Sequence, residues 1–235
     1  MISDLQFLSF EIAPTCNMSN KHPWCPVNDP LRYPKHERHT PCSDQAIVNF
    51  AVELHKRGFN GYVGFHYYCD PLVDIKRMLR LIEALKSQAP FKFILWTNGR
   101  LLTEACLNWI PEFSRIEITK HDAADIPRLQ QLTHGYIQIH FHEESHDDRL
   151  QVYDNTVTNK GGCVRPSTIE LPVNYYGQVR LCCTDYRGTV SIGNIQTEQV
   201  QEIIKNWEDT AESVRNGLVP LCWQCRGLGW NTVVL

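Results

Sequence analysis

No stretch of the 235-residue chain reaches the roughly 18 consecutive apolar residues that a membrane-spanning helix needs, and the opening MISDLQFLSFEIAP has no basic flank ahead of its apolar run. A spanning helix and a secretory leader are therefore not expected, and the chain is expected to be cytoplasmic with no membrane partner. An excess of either charge is missing as well: Lys and Arg total 23 against 26 Asp and Glu, a net charge of -3. No field of one sign is available to hold a polyanion, so nucleic acid is not the expected partner. No glycine-rich loop follows the first apolar run, which speaks against a doubly wound nucleotide-binding protein. Internal repeats and low-complexity tracts are also absent, leaving one full domain or one large and one small.

What the chain has in quantity is cysteine, ten in all. In a reducing compartment such residues are metal ligands or catalytic groups more often than disulfides.

The first 142 residues alternate between short apolar runs and helical patterns. Leu5 to Ala13, Tyr62 to Tyr68, Phe91 to Thr97, Arg115 to Thr119 and Tyr136 to His142 are expected to be strands, being short, aromatic or β-branched, and bounded by Gly, Pro or Asn. Ile47, Phe50, Ala51 and Leu54 at i, i+3, i+4, i+7 spacing predict a helix begun by Ser43 or Asp44 and ended before Gly58. Ile75, Met78, Leu79, Ile82 and Leu85 predict a second, and weaker helical patterns lie around Thr103 to Trp109 and Asp125 to Leu132. Strand and helix in alternation imply a parallel sheet with right-handed crossovers, doubly wound or curled into an open barrel. In the last strand Gln138, His140 and His142 alternate with Ile137, Ile139 and Phe141. A parallel strand covered on both sides is apolar throughout, so this one meets a polar cavity, which favours a partial, open TIM-like βα barrel. The polar segment 143–162 is expected to be a linker, and residues 163–235, with a hairpin and a helix near Gln199 to Asn216, a small second domain.

The cysteines fall into two sets. In the C-terminal set, Cys163 is followed by Gly177, then Cys182 and Cys183, and finally Cys222-x2-Cys225. Two cysteines two apart grip one centre from a tight turn and remote cysteines complete four thiolates; the spacing suits zinc and a 4Fe-4S cluster equally. In the N-terminal set, Cys16 ends the first strand, Cys25 follows, and Cys42 stands before the first helix, as a ligand or as an ordinary buried cysteine. A loop after strand one lies at the sheet edge where such folds build their sites.

With those pieces in place, the sequence resembles the radical S-adenosylmethionine (SAM) superfamily over nearly its whole length. FEIAPTCN is similar to the family's opening strand and first cluster cysteine, and HPWCPVN to the segment around the third. GFHYYCDPLVD resembles the glycine-glutamate-proline segment after strand two, and FILWTNGRLL the third strand with its Thr-Asn-Gly turn. C-x13-G-x4-C with a late C-x2-C is similar to the SPASM and twitch extensions, which hold auxiliary clusters. There are departures from the family pattern. The family's C-x3-C-x2-C is lengthened here, and the middle position counted from Cys25 is His22; Cys42 or His22 supplies the third ligand, with Cys42 favoured because soft thiolates suit iron-sulfur clusters. The glycine and glutamate of the second motif are replaced by Cys69 and Asp70. No cysteine follows Cys225, so a second auxiliary cluster is not expected.

The resemblance implies an iron-sulfur oxidoreductase that reductively cleaves SAM and abstracts a substrate hydrogen, in an oxidative modification of a peptide or small metabolite. It implies one 4Fe-4S cluster binding SAM at Cys16, Cys25 and Cys42, and an auxiliary 4Fe-4S cluster at Cys163, Cys182, Cys222 and Cys225. Tyr68, Asp70, Pro71, Asn98, Thr119, Lys120 and Asp122 are then expected around SAM, with Cys69, His140 and His142 as catalytic candidates. An external one-electron donor such as flavodoxin or ferredoxin is the expected partner. A degenerate iron-sulfur or zinc protein, serving as a binding or electron-transfer module, is the alternative.

Overall fold

The computed structural model describes residues 2–23, 25–33, 40–136, 138–143 and 162–225. Five strands, β1 (Phe7–Phe10), β2 (Tyr62–Gly64), β3 (Lys92–Thr97), β4 (Arg115–Lys120) and β5 (Ile139–Glu143), lie side by side in chain order, and all are parallel. Helices α1 (Asp44–Lys56), α2 (Ile75–Lys86) and α3 (Ile126–Leu132) fill three of the four crossovers. A short helix α4 (Arg165–Thr168) leads into β6 (Glu170–Val173), which pairs in parallel with the other side of β1. Two short strands, β7 (Gln178–Val179) and β8 (Gly193–Asn194), extend that side antiparallel, and α5 (Val200–Arg215) and α6 (Pro220–Trp223) follow. The result is one eight-stranded sheet in the order β5-β4-β3-β2-β1-β6-β7-β8, whose two ends are not joined.

The helices form where the pattern predicts and for identifiable reasons. Ser43 Oγ accepts the Ala46 amide at 3.2 Å, capping α1. Asp74 does the same for α2 through the Arg77 amide at 3.1 Å. Ile47, Phe50, Ala51 and Leu54 of α1 and Met78, Leu81, Ile82 and Leu85 of α2 are buried in one core with Leu8, Phe10, Val63, Phe93, Leu95, Ile116 and Ile118 of the sheet. Each such fully buried Leu, Ile or Phe contributes about 1.5–3 kcal/mol of hydrophobic stabilisation.

Two expectations are corrected and one is extended. The predicted second strand stops at Gly64, because the chain then leaves the ladder to carry His66 and the tyrosines toward the site. Thr103 to Trp109 is not an α-helix but a 3-10 turn, Glu104–Asn108, followed by a second at Ile110–Glu112; Pro111 lacks the amide a continuous helix would need. The hairpin expected in the C-terminal part is formed by β6 and β7, and its first strand also joins the main sheet by pairing in parallel with β1, which the sequence pattern does not foretell. The linker expected over 143–162 lies, except for its two end residues, outside the described residues, as do residues 226–235.

Register divides the sheet into two faces. Leu8, Val63 and Phe93 align toward the helices, whereas Ser9, Gly64, Ile94 and Arg115 align on the opposite, inner face. Trp96, Glu117 and His140 form the next inner row, Thr119 and His142 the one beyond, and Glu170 and Pro172 of β6 pair with Phe7 and Ser9.

Candidate active site

The loop leaving β1 is folded by its own turns. The Met18 carbonyl accepts the Lys21 and His22 amides at 2.9 and 3.2 Å, and the His22 carbonyl accepts the Cys25 amide at 3.0 Å. Asn28 Nδ2 ties both sides together, donating to the Ser19 and His22 carbonyls at 2.7 and 2.8 Å. Cys16 and Cys25 are close enough to act on one another, both half-buried. Burial holds the Cys16 thiol up at about 11, with the Asp70 carboxylate and Cys25 adding to the effect, while the amides of Met18 and Asp70 oppose it.

Asp70 organises the strand ends around that loop. Its carboxylate accepts the Thr97 hydroxyl at 2.8 Å, the Asn98 amide at 2.8 Å and the Leu72 amide at 3.0 Å. Burial nevertheless raises its pKa, and the hydrogen bonds and the nearby His121 hold it down. Pro71, buried behind it, opens a 3-10 turn. The Asn98 side chain exchanges amide hydrogen bonds with Asn17 at 2.8 and 3.2 Å. The His22 and His121 rings lie 4.3 Å apart between centroids, so the β4 end also meets the loop. Thr119 and Lys120 close β4 half-buried, and Asp122 caps the following turn through the Ala124 amide while facing Lys21 and Arg100, each at 3.7 Å.

The inner face is polar. His66 Nε2 lies 3.5 Å from Ser9 Oγ and 4.0 Å from Glu170 Oε1, and its ring packs 4.2 Å from that of Trp96. A side chain on Gly64 would bring its Cβ within 2.7 Å of His66 Nδ1, so the absence of one leaves room for the imidazole. Buried Glu117 holds His142 Nε2 and Arg115 Nε. His140 lies beside Glu117 in register and is exposed. Glu11, buried at the end of β1, accepts an ion pair from Arg32 at 3.0 Å and backbone amides of Tyr68 and Tyr175 at 3.3 and 3.2 Å. Burial still raises the Glu11 pKa, with Arg32 opposing.

The C-terminal cysteines converge. Burial pushes the Cys222 thiol up to about 12, and Cys182, Cys163 and Cys225, in that order, add to it, which places the other three around Cys222. Cys182, fully buried, is likewise pushed to about 12, and its sulfur lies 2.9 Å from Thr184 Oγ1. The Cys225 amide donates to the Cys222 carbonyl at 3.2 Å, closing the C-x2-C turn. Gly177 supplies the left-handed turn between β6 and β7, with φ of 85°. Among the described residues no group of three His, Cys, Asp or Glu is drawn around one point tightly enough to hold a single metal ion. The donor set itself is four cysteine sulfurs, the chemistry that iron-sulfur clusters take.

Two further expected residues, Cys42 and Cys69, are buried. Cys42 is buried in the core, its sulfur 3.4 Å from where a Cβ on Gly177 would stand, and burial lifts its thiol to about 12 against the nearby Arg77. Cys69 is buried, with its sulfur turned to the Phe65 carbonyl at 3.8 Å and its pKa raised first by burial. Cys183 is not among the four: Arg165 Nη1 donates to its sulfur at 3.2 Å. Tyr67 hydroxyl donates to the Cys182 and Asp185 carbonyls, both at 3.4 Å, and Tyr68 hydroxyl to the Cys183 carbonyl. Ser9, Trp96, Glu117, Arg165 and Glu170 were not among the residues expected at the site; the available signal was a carboxylate set between apolar strand residues, in Ile116-Glu117-Ile118 and Ile169-Glu170-Leu171.

These features match a known class. Residues 163–226 match the SPASM family, described as an iron-sulfur cluster-binding domain. A curated relative is the S-adenosyl-L-methionine-dependent 2-deoxy-scyllo-inosamine dehydrogenase of Niallia circulans, 24% identical over 216 residues, 80% of this chain and 82% of that protein. Among solved structures, BtrN in complex with AdoMet and 2-DOIA has a TM-score of 0.69 at 18% identity, covering 94% of this chain and 93% of that one. Native anSMEcpe with bound AdoMet and Cp18Cys peptide has a TM-score of 0.58 at 12% identity, covering 95% and 86%. The recognition drawn from the motifs, a radical SAM protein with a SPASM-type extension, is borne out by these matches, as are the partial-barrel fold, the SAM and iron-sulfur cofactors and the assignment as an oxidoreductase-like enzyme.

Proposed function

We propose that this protein is a radical SAM dehydrogenase of a small polar substrate. The observation that carries the reading is a chain of polar contacts that begins on the inner face with Ser9, His66 and Glu170 and passes through Arg165 to Cys183 in the C-terminal cysteine turn. When bound, SAM and a 4Fe-4S cluster at Cys16 and Cys25 supply reductive cleavage and hydrogen abstraction. Tyr68, Asp70, Pro71 and Asn98 shape the place for the amino acid part of SAM, and Thr119, Lys120 and Asp122 the place for its carboxylate and ribose. Cys163, Cys182, Cys222 and Cys225 would hold the auxiliary cluster, which would supply an acceptor for the electron that the substrate gives up.

His66 and His142, each against a buried glutamate, are placed to take the proton a hydroxyl gives up on oxidation, and exposed His140 to contact the same substrate. Cys69, turned away beneath Asp70, packs rather than reacts. Two acid-imidazole pairs with Trp96 between them suit a compact hydroxyl-bearing molecule, in line with the dehydrogenase relative. The external electron donor is a flavodoxin or ferredoxin of the cytoplasm.

The test is anaerobic incubation of reconstituted, reduced protein with SAM. Release of 5'-deoxyadenosine, lost in Cys16→Ala with Cys25→Ala, supports the enzyme. Protein that holds its clusters and releases none is a binding or electron-transfer module, a reading favoured by Cys42 packing against Tyr175, Gly177 and Arg77.

A further inference from the structure

We propose that the first cluster has mixed ligation, with His22 as its third protein ligand beside Cys16 and Cys25. The inference rests on the reading of Cys16 and Cys25 as cluster ligands and adds the partner that reading leaves open. Three observations converge on it.

His22 and Cys25 stand at C-x2-C spacing, and the structure closes their turn as it closes the cysteine pair at the other end of the chain. The Cys25 amide donates to the His22 carbonyl at 3.0 Å, and the Cys225 amide to the Cys222 carbonyl at 3.2 Å. Such a turn presents two side chains, three residues apart, to one centre. Asn28 holds it by donating to the same His22 carbonyl.

The imidazole is also placed. It packs 4.3 Å from His121 at the end of β4, and His121 lies close enough to Asp70 to lower its pKa. Asp70 in turn acts on Cys16 through both its carboxylate and its backbone amide. His22 is thus fixed between the end of β4 and the turn that begins at Cys16, where the Cys16 carbonyl accepts the Ser19 amide and the Met18 carbonyl the His22 amide.

Cys42, by contrast, belongs to another neighbourhood. Its amide donates to the Tyr175 carbonyl at 2.8 Å, its own carbonyl accepts Arg77 Nη2, and its sulfur faces Ser43 and Gly177. The charged groups acting on it are Arg77 and Asp44 rather than another cysteine. Bringing it to Cys16 would require unpacking the start of α1 from β6 and β7.

A neutral imidazole in place of a thiolate leaves the cluster one negative charge poorer, which raises its potential relative to a three-thiolate site.

The experiment uses the full chain, reconstituted anaerobically with iron and sulfide and reduced with dithionite. Wild type is expected to hold about eight irons in two clusters, and His22→Ala about four. The auxiliary signal retained in electron paramagnetic resonance shows that the variant is folded. His22→Cys should restore the second cluster at a lower midpoint potential. Chains labelled with 15N-histidine should show nitrogen coupling to the first cluster in wild type and none in His22→Cys, while Cys42→Ala keeps both clusters. A His22→Ala protein that keeps both clusters, or a Cys42→Ala protein that loses the first, overturns the ligand set alone. A wild-type protein with one cluster, abolished by Cys182→Ser, overturns the assignment of Cys16 and Cys25 as well.

Discussion

The imidazole of His66 occupies the space that a side chain on Gly64 would fill, since a Cβ there would stand 2.7 Å from Nδ1 and 2.8 Å from Cε1. Gly64→Ala should therefore drive His66 off Ser9 and Trp96. Overpacking of this kind costs about 1–3 kcal/mol. Urea unfolding should register that loss while iron content stays at the wild-type value. An unchanged midpoint would show that the ring has room to shift.

Asp70 takes three hydrogen bonds, two from the end of β3 and one from the turn that follows Asp70 itself. Asp70→Ala strands the Asn98 and Leu72 amides and removes the group nearest the proposed SAM amino site. Losing one charge-assisted hydrogen bond costs about 1.5–3 kcal/mol, so SAM affinity should fall at least tenfold, about one decade per 1.4 kcal/mol. Equilibrium dialysis with labelled SAM measures it, and affinity within twofold of wild type removes Asp70 from the cofactor site.

The Glu11 and Arg32 pair is buried on both sides, and among the described residues Arg32 Nε and Nη1 have no hydrogen-bond partner. Glu11→Gln leaves a guanidinium without its counter-charge in the interior, at a cost of about 3–5 kcal/mol. Glu11→Gln with Arg32→Met removes both charges and should recover most of the loss in chemical denaturation. Additive losses would mean that the two residues act independently.

Tyr67 hydroxyl joins the loop after β2 to the Cys182 turn through two carbonyls. Tyr67→Phe removes a buried donor while keeping the ring, costing about 0.5–1.5 kcal/mol. It also alters the polar surroundings of the auxiliary site. The paramagnetic spectrum attributed to Cys163, Cys182, Cys222 and Cys225 should shift while iron content is conserved; an identical spectrum would place the cluster out of range of that loop.

Much of the barrel was legible because period and punctuation agree. Ile47 to Leu54 and Met78 to Leu85 repeat at helical spacing between Ser43, Asp74 and Gly58, and local chemistry alone sets those elements. The Cys222-x2-Cys225 turn was legible for the same reason. What could not be seen depends on partners far away in the chain. Nothing local in Glu170-Leu171-Pro172-Val173 says that it will pair with Phe7 to Phe10 as well as with its own hairpin partner. The place of Cys42 is of this kind too: its spacing suits a ligand, and only the packing of Tyr175, Gly177 and Arg77 around it shows where its sulfur goes. The glutamates of the inner face were passed over because each sits in an otherwise apolar strand, where a buried acid needs a partner that the next strand supplies.

The insertion of β6 beside β1 has a mechanical consequence. The Cys16 loop leaves β1 and the Cys182 turn leaves β7, with β6 paired between those two strands, so a ladder of backbone hydrogen bonds rather than a tether links the two segments. Two redox stations mounted in this way keep a constant gap while a substrate enters and leaves. Cutting the chain ahead of Cys163 would strip one side of β1 and expose an unpaired, apolar edge prone to self-association.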